Sequence, residues 1–192
     1  MHGATPSEGT LCTRHSMGET TSVRYLTIVR HAKAEKATPE TRDFDRMLSD
    51  RGRRQCERLR AWVTDESELG RFGPTTALVS AAARTKETFQ RAFEATPFVT
   101  RCSFSELIYN GHRDVSAEDL LIDLAAIDPV TTSLLVVGHN PTVLELLWSL
   151  VPGRSVSPRE GFPTAGAFVL AIPDDRQVGL SHYDLVARYV PD

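Results

Sequence analysis

Short apolar runs alternate along this chain with longer stretches in which apolar residues recur at three- or four-residue intervals. Taken in order, the pattern predicts strands and helices in alternation, the mark of βα units built around a largely parallel sheet. Val23 to Val29 reads as a first strand that delivers Arg30 and His31 at its C-terminal end. Ser49 is placed to cap a helix over about 50–65, with Cys56, Leu59 and Val63 on one face. After the break at Gly73-Pro74, a strand at 76–79 leads to a helix that opens between Ser80 and Arg84 and runs to about Ala95. Its apolar face includes Phe89 and Phe93. A third strand near 98–102 gives way to a loop over 105–115. Ser116 and Asp119 then have the form of a capping box, for a helix carrying Leu120, Leu124 and Ile127.

The run Ser133 to Val137 is apolar enough for a strand covered on both faces. Gly138-His139-Asn140-Pro141 ends it, with Asn140 expected as N-cap and Pro141 at the first position of a helix to Leu150. A strand over 166–172, a turn at Pro173-Asp174-Asp175 and a last strand near 181–189 complete the pattern. Residues 1–22, rich in Gly, Ser, Thr and charge and without the apolar run of a secretory signal, predict a disordered extension before a single domain over 23–192.

Composition narrows the class. The chain has 192 residues, 41% apolar and 24% charged, a balance that lets one globular domain bury a sizeable core without disulfide or structural metal. No apolar run approaches the ~20 residues that cross a bilayer, so no membrane partner is expected. With 22 basic and 25 acidic residues the net charge is -3, which provides no general field for nucleic acid; an anion must be recognised locally. Cys12, Cys56 and Cys102 are widely spaced and read as free thiols of a reducing, cytoplasmic compartment.

Arg30, His31, Arg84 and His139 all fall at predicted strand ends or at the starts of the following helices, the edge where α/β sheets bind ligands. That grouping suits a phosphate. Guanidinium forks match phosphate oxygens, and helix N-termini add backbone donors. Phosphoryl transfer asks mainly for positioning and charge stabilisation. With no serine elbow, CxxxxxR loop or metal cage in the sequence, a neutral imidazole is the candidate nucleophile. His31 fits, with Nδ1-H held by a backbone carbonyl and Nε2 attacking, while a protonated His139 stabilises the phosphoryl oxygens.

Arg30-His31-Ala32-Lys33-Ala34 resembles the RHG opening of the histidine phosphatases, in the RHA form of the small bacterial phosphohistidine phosphatases. The resemblance continues through Asp45-Arg46-Met47-Leu48 with Gly52, Ser80 to Thr85 with Thr88, Gly138 to Pro141, and Phe162 to Ala165, across most of residues 23–172. It implies a three-layer α/β/α sandwich with a mostly parallel, phosphoglycerate mutase-like sheet. It also implies His31 as nucleophile, Arg30 and Arg84 as phosphate ligands, His139 as the second pocket histidine, and no metal or organic cofactor. Glu106 falls where many members place an acidic residue after the third strand. It is the candidate leaving-group acid, with Asp43 and Asp45 as rivals.

Plainer readings apply elsewhere. Ser49 and Ser116 are caps, Cys56 and Trp62 core, and His112 and His182 structural or exposed. Asn140 caps a helix and also touches phosphate. Arg51, Arg53, Arg54, Arg58 and Arg60 form either a solvated face or a docking patch for an acidic partner. The length leaves no room for a large cap domain. The implied activity is therefore a phosphatase with an open pocket, acting on a phosphorylated protein or a small phosphorylated metabolite. The alternatives are a mutase-like phosphotransferase and a noncatalytic phosphate-binding module.

Overall fold

The computed structural model describes residues 24–65, 75–109, 115–127, 133–151, 161–172 and 182–191. The expected extension over 1–22, the turn at 173–175 and His112 lie outside these residues. In chain order the elements are β1 (Arg24–Arg30), α1 (Asp50–Thr64), β2 (Thr75–Ser80), α2 (Ala83–Ala92), β3 (Val99–Ser105), α3 (Ala117–Ala126), β4 (Ser133–Gly138), α4 (Thr142–Leu150), β5 (Ala167–Ile172) and β6 (Asp184–Tyr189). Among the described residues the strands form one sheet in the order β3-β2-β4-β1-β5-β6. β3, β2, β4 and β1 run parallel; β5 is antiparallel to β1, and β6 to β5.

Side-chain alternation along the central strands fills two cores. Leu26 and Ile28 of β1, with Leu134 and Val136 of β4, pack with Leu120, Leu124, Leu146 and Leu150 from α3 and α4. Val29, Leu135 and Val137 point the other way, onto Leu59, Val63, Phe89 and Phe93 from α1 and α2. The result is the expected α/β/α sandwich. Cys56 is buried in the second core and Trp62 packs at its margin, beside Tyr189.

α1 and α3 carry side-chain N-caps, whereas α2, entered from Ala82, and α4, entered from Pro141, have none. Ser49 Oγ accepts from Gly52 N, and Ser116 with Asp119 makes the reciprocal capping box. Asn140 does not cap α4: that helix starts at Thr142, and the Asn140 side chain turns instead toward the Phe162 carbonyl. A short 3-10 turn at Asp43–Asp45 lies in a segment for which no element was expected.

Gly52 locks the first turn of α1 against the chain that follows β1. The Lys33 carbonyl accepts from Ser49 N and Ser49 Oγ, both at 3.0 Å, and a Cβ at Gly52 would fall 2.1 Å from that oxygen. Gly-to-Ala inside a helix ordinarily stabilises by up to ~1 kcal/mol; here the sign reverses. Gly52→Ala is expected to cost about 1–3 kcal/mol in urea unfolding, as the overpacked contact pushes α1 off the Lys33 backbone.

Candidate active site

Strand register brings the two histidines together. β1 and β4 pair in parallel with Arg30 opposite Gly138, so His31 and His139, each the next residue, leave the sheet side by side. Their ring centroids are 5.0 Å apart. β2 pairs with β4 so that Val79 faces Val137, which carries Ser80 to the same edge. Ser80 Oγ lies 2.8 Å from His139 Nε2. Arg84 enters from the first turn of α2, directly after this strand end.

The chain after β1 is held on every side. His31 N donates to Gly138 O at 3.0 Å, Ala32 N to Thr88 Oγ1 at 3.0 Å, and Lys33 N to Gln55 Oε1 at 2.9 Å. Ala165 adopts a left-handed backbone (φ 61°), which aims its N–H at the carbonyls of Arg30 and His31. A non-glycine residue held there stores strain that only surrounding contacts sustain, as happens at functional sites. His31 Nδ1 sits 2.7 Å from the Ala32 carbonyl. A carbonyl can only accept, so Nδ1 carries the proton and Nε2 the lone pair.

These groups line a cavity of about 440 Å³ that also receives Asp43, Arg46, Tyr109, Asn140, Thr164 and the exposed Lys33 and Lys36. Asp43 organises one wall. Its Oδ2 accepts from Arg84 Nη2 at 2.9 Å and from the Tyr109 hydroxyl at 2.7 Å, its Oδ1 accepts from Arg46 Nε at 2.8 Å, and its backbone carbonyl accepts from Arg84 Nη1 at 2.6 Å. Tyr109 meets the His139 ring edge-on at 5.5 Å and the Phe44 ring at 5.0 Å. Arg30 Nη1 donates to the Phe162 carbonyl at 2.6 Å.

Burial and neighbouring positive charge set the protonation states. Burial foremost, opposed by the Ala32 carbonyl and aided by Arg84, Arg30 and Arg46, pushes His31 down to about 3. Burial, then His31 and Arg84, pushes His139 down to about 2. Both rings are neutral in the ligand-free protein at pH 7, so the expected protonated His139 does not hold for the empty cavity. Burial works to raise the Asp43 carboxyl, but hydrogen bonds from Tyr109 and Arg46 and the charge of Arg84 outweigh it and hold the group well below the usual carboxylate range.

Arg30, His31, Arg84 and His139 are thus brought together; Glu106 is not. β3 ends at Ser105, and the next turn is closed by Leu107 N donating to Ser105 Oγ and Tyr109 N to Glu106 O. This turn buries Ile108 and Tyr109 and leaves Glu106 exposed, outside the cavity. The residue this loop supplies is Tyr109, which sequence reasoning passed over although it stands three positions on. Asp45 pairs with Arg42 on the surface and also stays outside. Asn140 reaches the cavity, but its Nδ2 points at Phe162 O at 3.4 Å and its buried Oδ1 has no partner; an acceptor placed so does not suit phosphate. Ser80 and Arg46 lie inside motifs already noticed; the Ser80 contact with His139 is tertiary and carries no sequence signal, whereas Arg46 binds Asp43 only three residues away.

Among the described residues no group of three or more His, Cys, Asp or Glu could hold a metal ion, and no helix is long and apolar enough to cross a membrane. No protein-family model and no curated protein matches the chain. Solved structures do. A protein from Agrobacterium tumefaciens assigned as the phosphohistidine phosphatase SixA is 30% identical, with a TM-score of 0.70 over 88% of this chain and 99% of that one. A second assigned SixA, from Nakamurella multipartitia, is 23% identical with a TM-score of 0.70 over 88% and 97%. A mycobacterial glucosyl-3-phosphoglycerate phosphatase, 16% identical, shares the fold with a TM-score of 0.57 over 85% and 97%. Fold and site define an α/β protein of phosphoglycerate mutase-like architecture with a paired-histidine cavity. The chain belongs to the histidine phosphatase superfamily, and its likeness is to the SixA type.

The neutral histidines make a pH signature. A histidine whose folded pKa lies below its unfolded value of ~6.5 leaves stability unaffected above that value, and stability falls with pH below it because the unfolded chain binds the proton first. For His139 alone this amounts to about 2 kcal/mol at pH 5 relative to pH 7. Imidazole NMR of the ligand-free protein is expected to show both His31 and His139 neutral from pH 8 to pH 5, with the proton of His31 on Nδ1. Saturating inorganic phosphate should raise both pKa values, since an arriving anion favours the imidazolium.

Proposed function

We propose that the protein is a phosphatase in which His31 takes the phosphoryl group from a phosphohistidine protein or a small phosphorylated metabolite and passes it to water. The observation that carries this reading is a set of three buried nitrogens without partners among the cavity residues: Arg30 Nε, Arg84 Nε and His139 Nδ1. Buried donors left unpaired are costly and uncommon. With Ser80 donating to His139 Nε2, Nδ1 carries a proton, and the three residues of one cavity then offer three unpaired donors, the number of terminal oxygens on a phosphoryl group.

The His31 Nε2 lone pair forms a bond to phosphorus as the bond to the leaving group breaks, and the leaving atom keeps the electron pair. Arg30 and Arg84 neutralise the charge on the equatorial oxygens, and His139 contributes a hydrogen-bond donor to them. Water then attacks the phosphorus of the phosphohistidine, inorganic phosphate departs, and His31 regains its lone pair with Nδ1-H still on Ala32 O. Lys33 and Lys36 add positive charge around the opening.

The phosphohistidine reading over an alkyl ester is favoured by the leaving-group side of the cavity. Glu106 is outside and Asp43 is held ionised by Tyr109, Arg46 and Arg84; the other carboxyl group of the lining, Glu35, is exposed at the opening, so among the described residues no buried acid stands beside His31 to protonate an alkoxide. A phosphohistidine protonated on its other ring nitrogen releases a neutral imidazole and needs no further proton from the protein. The assigned SixA activity of the structural relatives agrees with this choice. The proposed reaction is carried by one domain over 23–192, without a large cap and without a metal.

Turnover in the presence of a chelator, measured on a phosphohistidine protein, p-nitrophenyl phosphate and an alkyl phosphate panel, tests the reading. Phosphohistidine and the aryl ester are expected to react and alkyl esters to lag by about 10²-fold or more, the usual worth of a general acid. His31→Ala should lose more than ~10³-fold on every substrate, as removal of a nucleophile does. Glu106→Gln should stay within about twofold of the parent protein, because the side chain touches nothing in the cavity. Phosphate binding with no turnover of any substrate would instead make the protein a binding module.

A further inference from the structure

Helix α1 carries five arginines against two acids, Asp50 and Glu57, in a chain whose acids outnumber its bases 25 to 22. One of the five is occupied: Arg53 binds Asp50 at 3.0 Å and the buried Glu87 at 3.0 Å, on the flank that faces α2. Arg51, Arg54 and Arg58 lie on the other flank, spaced i, i+3 and i+7, so they form one stripe about 10 Å long at 1.5 Å per residue. All three are exposed, and among the described residues none of them makes an ion pair.

The stripe does not line the cavity but starts beside its rim. Its first residue follows Ser49 and Asp50, and Ser49 is hydrogen-bonded through both N and Oγ to the carbonyl of Lys33, itself a cavity residue. On the same turn of the helix Gln55 joins Lys33 N to Thr164 Oγ1, so the stripe's N-terminal end rests on the backbone of the cavity rim. Lys33 and Lys36, both exposed, add two positive charges at the opening against the exposed acid Glu35. A small phosphorylated compound reaches only the cavity. A substrate with chain on either side of its phosphoryl group extends past the rim, and α1 flanks one side of it.

We propose that Arg51, Arg54 and Arg58 form a docking track for an acidic segment of the phosphoprotein substrate, flanking the phosphorylated residue and laid along α1. This rests on the phosphatase reading above and adds to it the chemistry of the partner. The fit is one of charge: three unpaired cations in a row call for carboxylates at matching spacing, and such exposed contacts act on encounter and substrate selection more than on the chemical step.

The test uses a phosphohistidine peptide with four glutamates flanking the phosphorylated residue, the same peptide with glutamines in their place, and p-nitrophenyl phosphate. The parent protein is compared with a variant carrying Arg51→Glu, Arg54→Glu and Arg58→Glu. The expected result is a fall in kcat/KM of about tenfold or more on the glutamate peptide, a change under threefold on the glutamine peptide, and under twofold on p-nitrophenyl phosphate. The parent protein's preference for the glutamate peptide should also shrink as salt rises from 50 to 500 mM. Equal loss on both peptides, or no loss on either, would overturn the docking track. So would binding of RNA or of anionic phosphatidylserine vesicles that the variant loses while its peptide kinetics stay as the parent's. If the parent protein turns over none of the three substrates, it is the phosphatase reading that fails. Unchanged activity of the variant on p-nitrophenyl phosphate also shows that the variant is folded.

Discussion

The parallel pairing of β1 with β4 governs everything else in the cavity, because it sets His31 and His139 next to each other across 108 residues of chain. In a parallel ladder a one-residue slip would turn every side chain of the strand to the opposite face. Here the alternation of Leu26, Ile28 and Val29 against two separate cores forbids that slip, so burial of apolar surface on both faces fixes the position of the two imidazoles. The pairing of β2 with β4 extends the same logic to Ser80 and then, through the first turn of α2, to Arg84. Hydrophobic packing supplies the precision, and the polar groups at the strand ends inherit it.

Around this base the protein holds positive charge with one carboxylate, Asp43, bound among the cations and a second, Glu35, exposed at the opening. Arg84 and Arg46 both bind Asp43, and the neighbouring histidines give up their protons. The empty cavity is therefore close to electrically relaxed, which limits the self-repulsion that clustered cations would otherwise impose. What stays unsatisfied in the cavity is one nitrogen each on Arg30, Arg84 and His139, together with Asn140 Oδ1. Tyr109 stiffens the arrangement by touching Asp43 through its hydroxyl and His139 through its ring.

The elements whose identity rests on local rules were legible from the sequence: the buried run at 133–137, the Ser49 and Ser116 caps, and the strand ends bearing Arg30, His31 and His139. Where the outcome depended on a turn closing in three dimensions, the reading failed. Glu106 and Tyr109 are three residues apart in one loop, and only the hydrogen bonds that close the turn after β3 decide which of them faces inward. Asn140 has the chemistry of a cap, but the Phe162 carbonyl draws its amide away from the helix end. Asp43 was legible as an acid and not as the partner of three other side chains, since those contacts join residues up to 66 positions apart.

Division of labour between the strand ends and the loops has an evolutionary corollary. The histidines and their backbone anchors belong to the sheet and to the helices packed on it, whereas Asp43, Arg46 and Tyr109 come from the turn at 43–45 and the loop after β3. Changes confined to those two loops can remodel the walls of the cavity without disturbing the register that aligns the imidazoles. Such modularity separates ligand choice from fold stability, and it marks the same two loops as the place to begin when redesigning this scaffold.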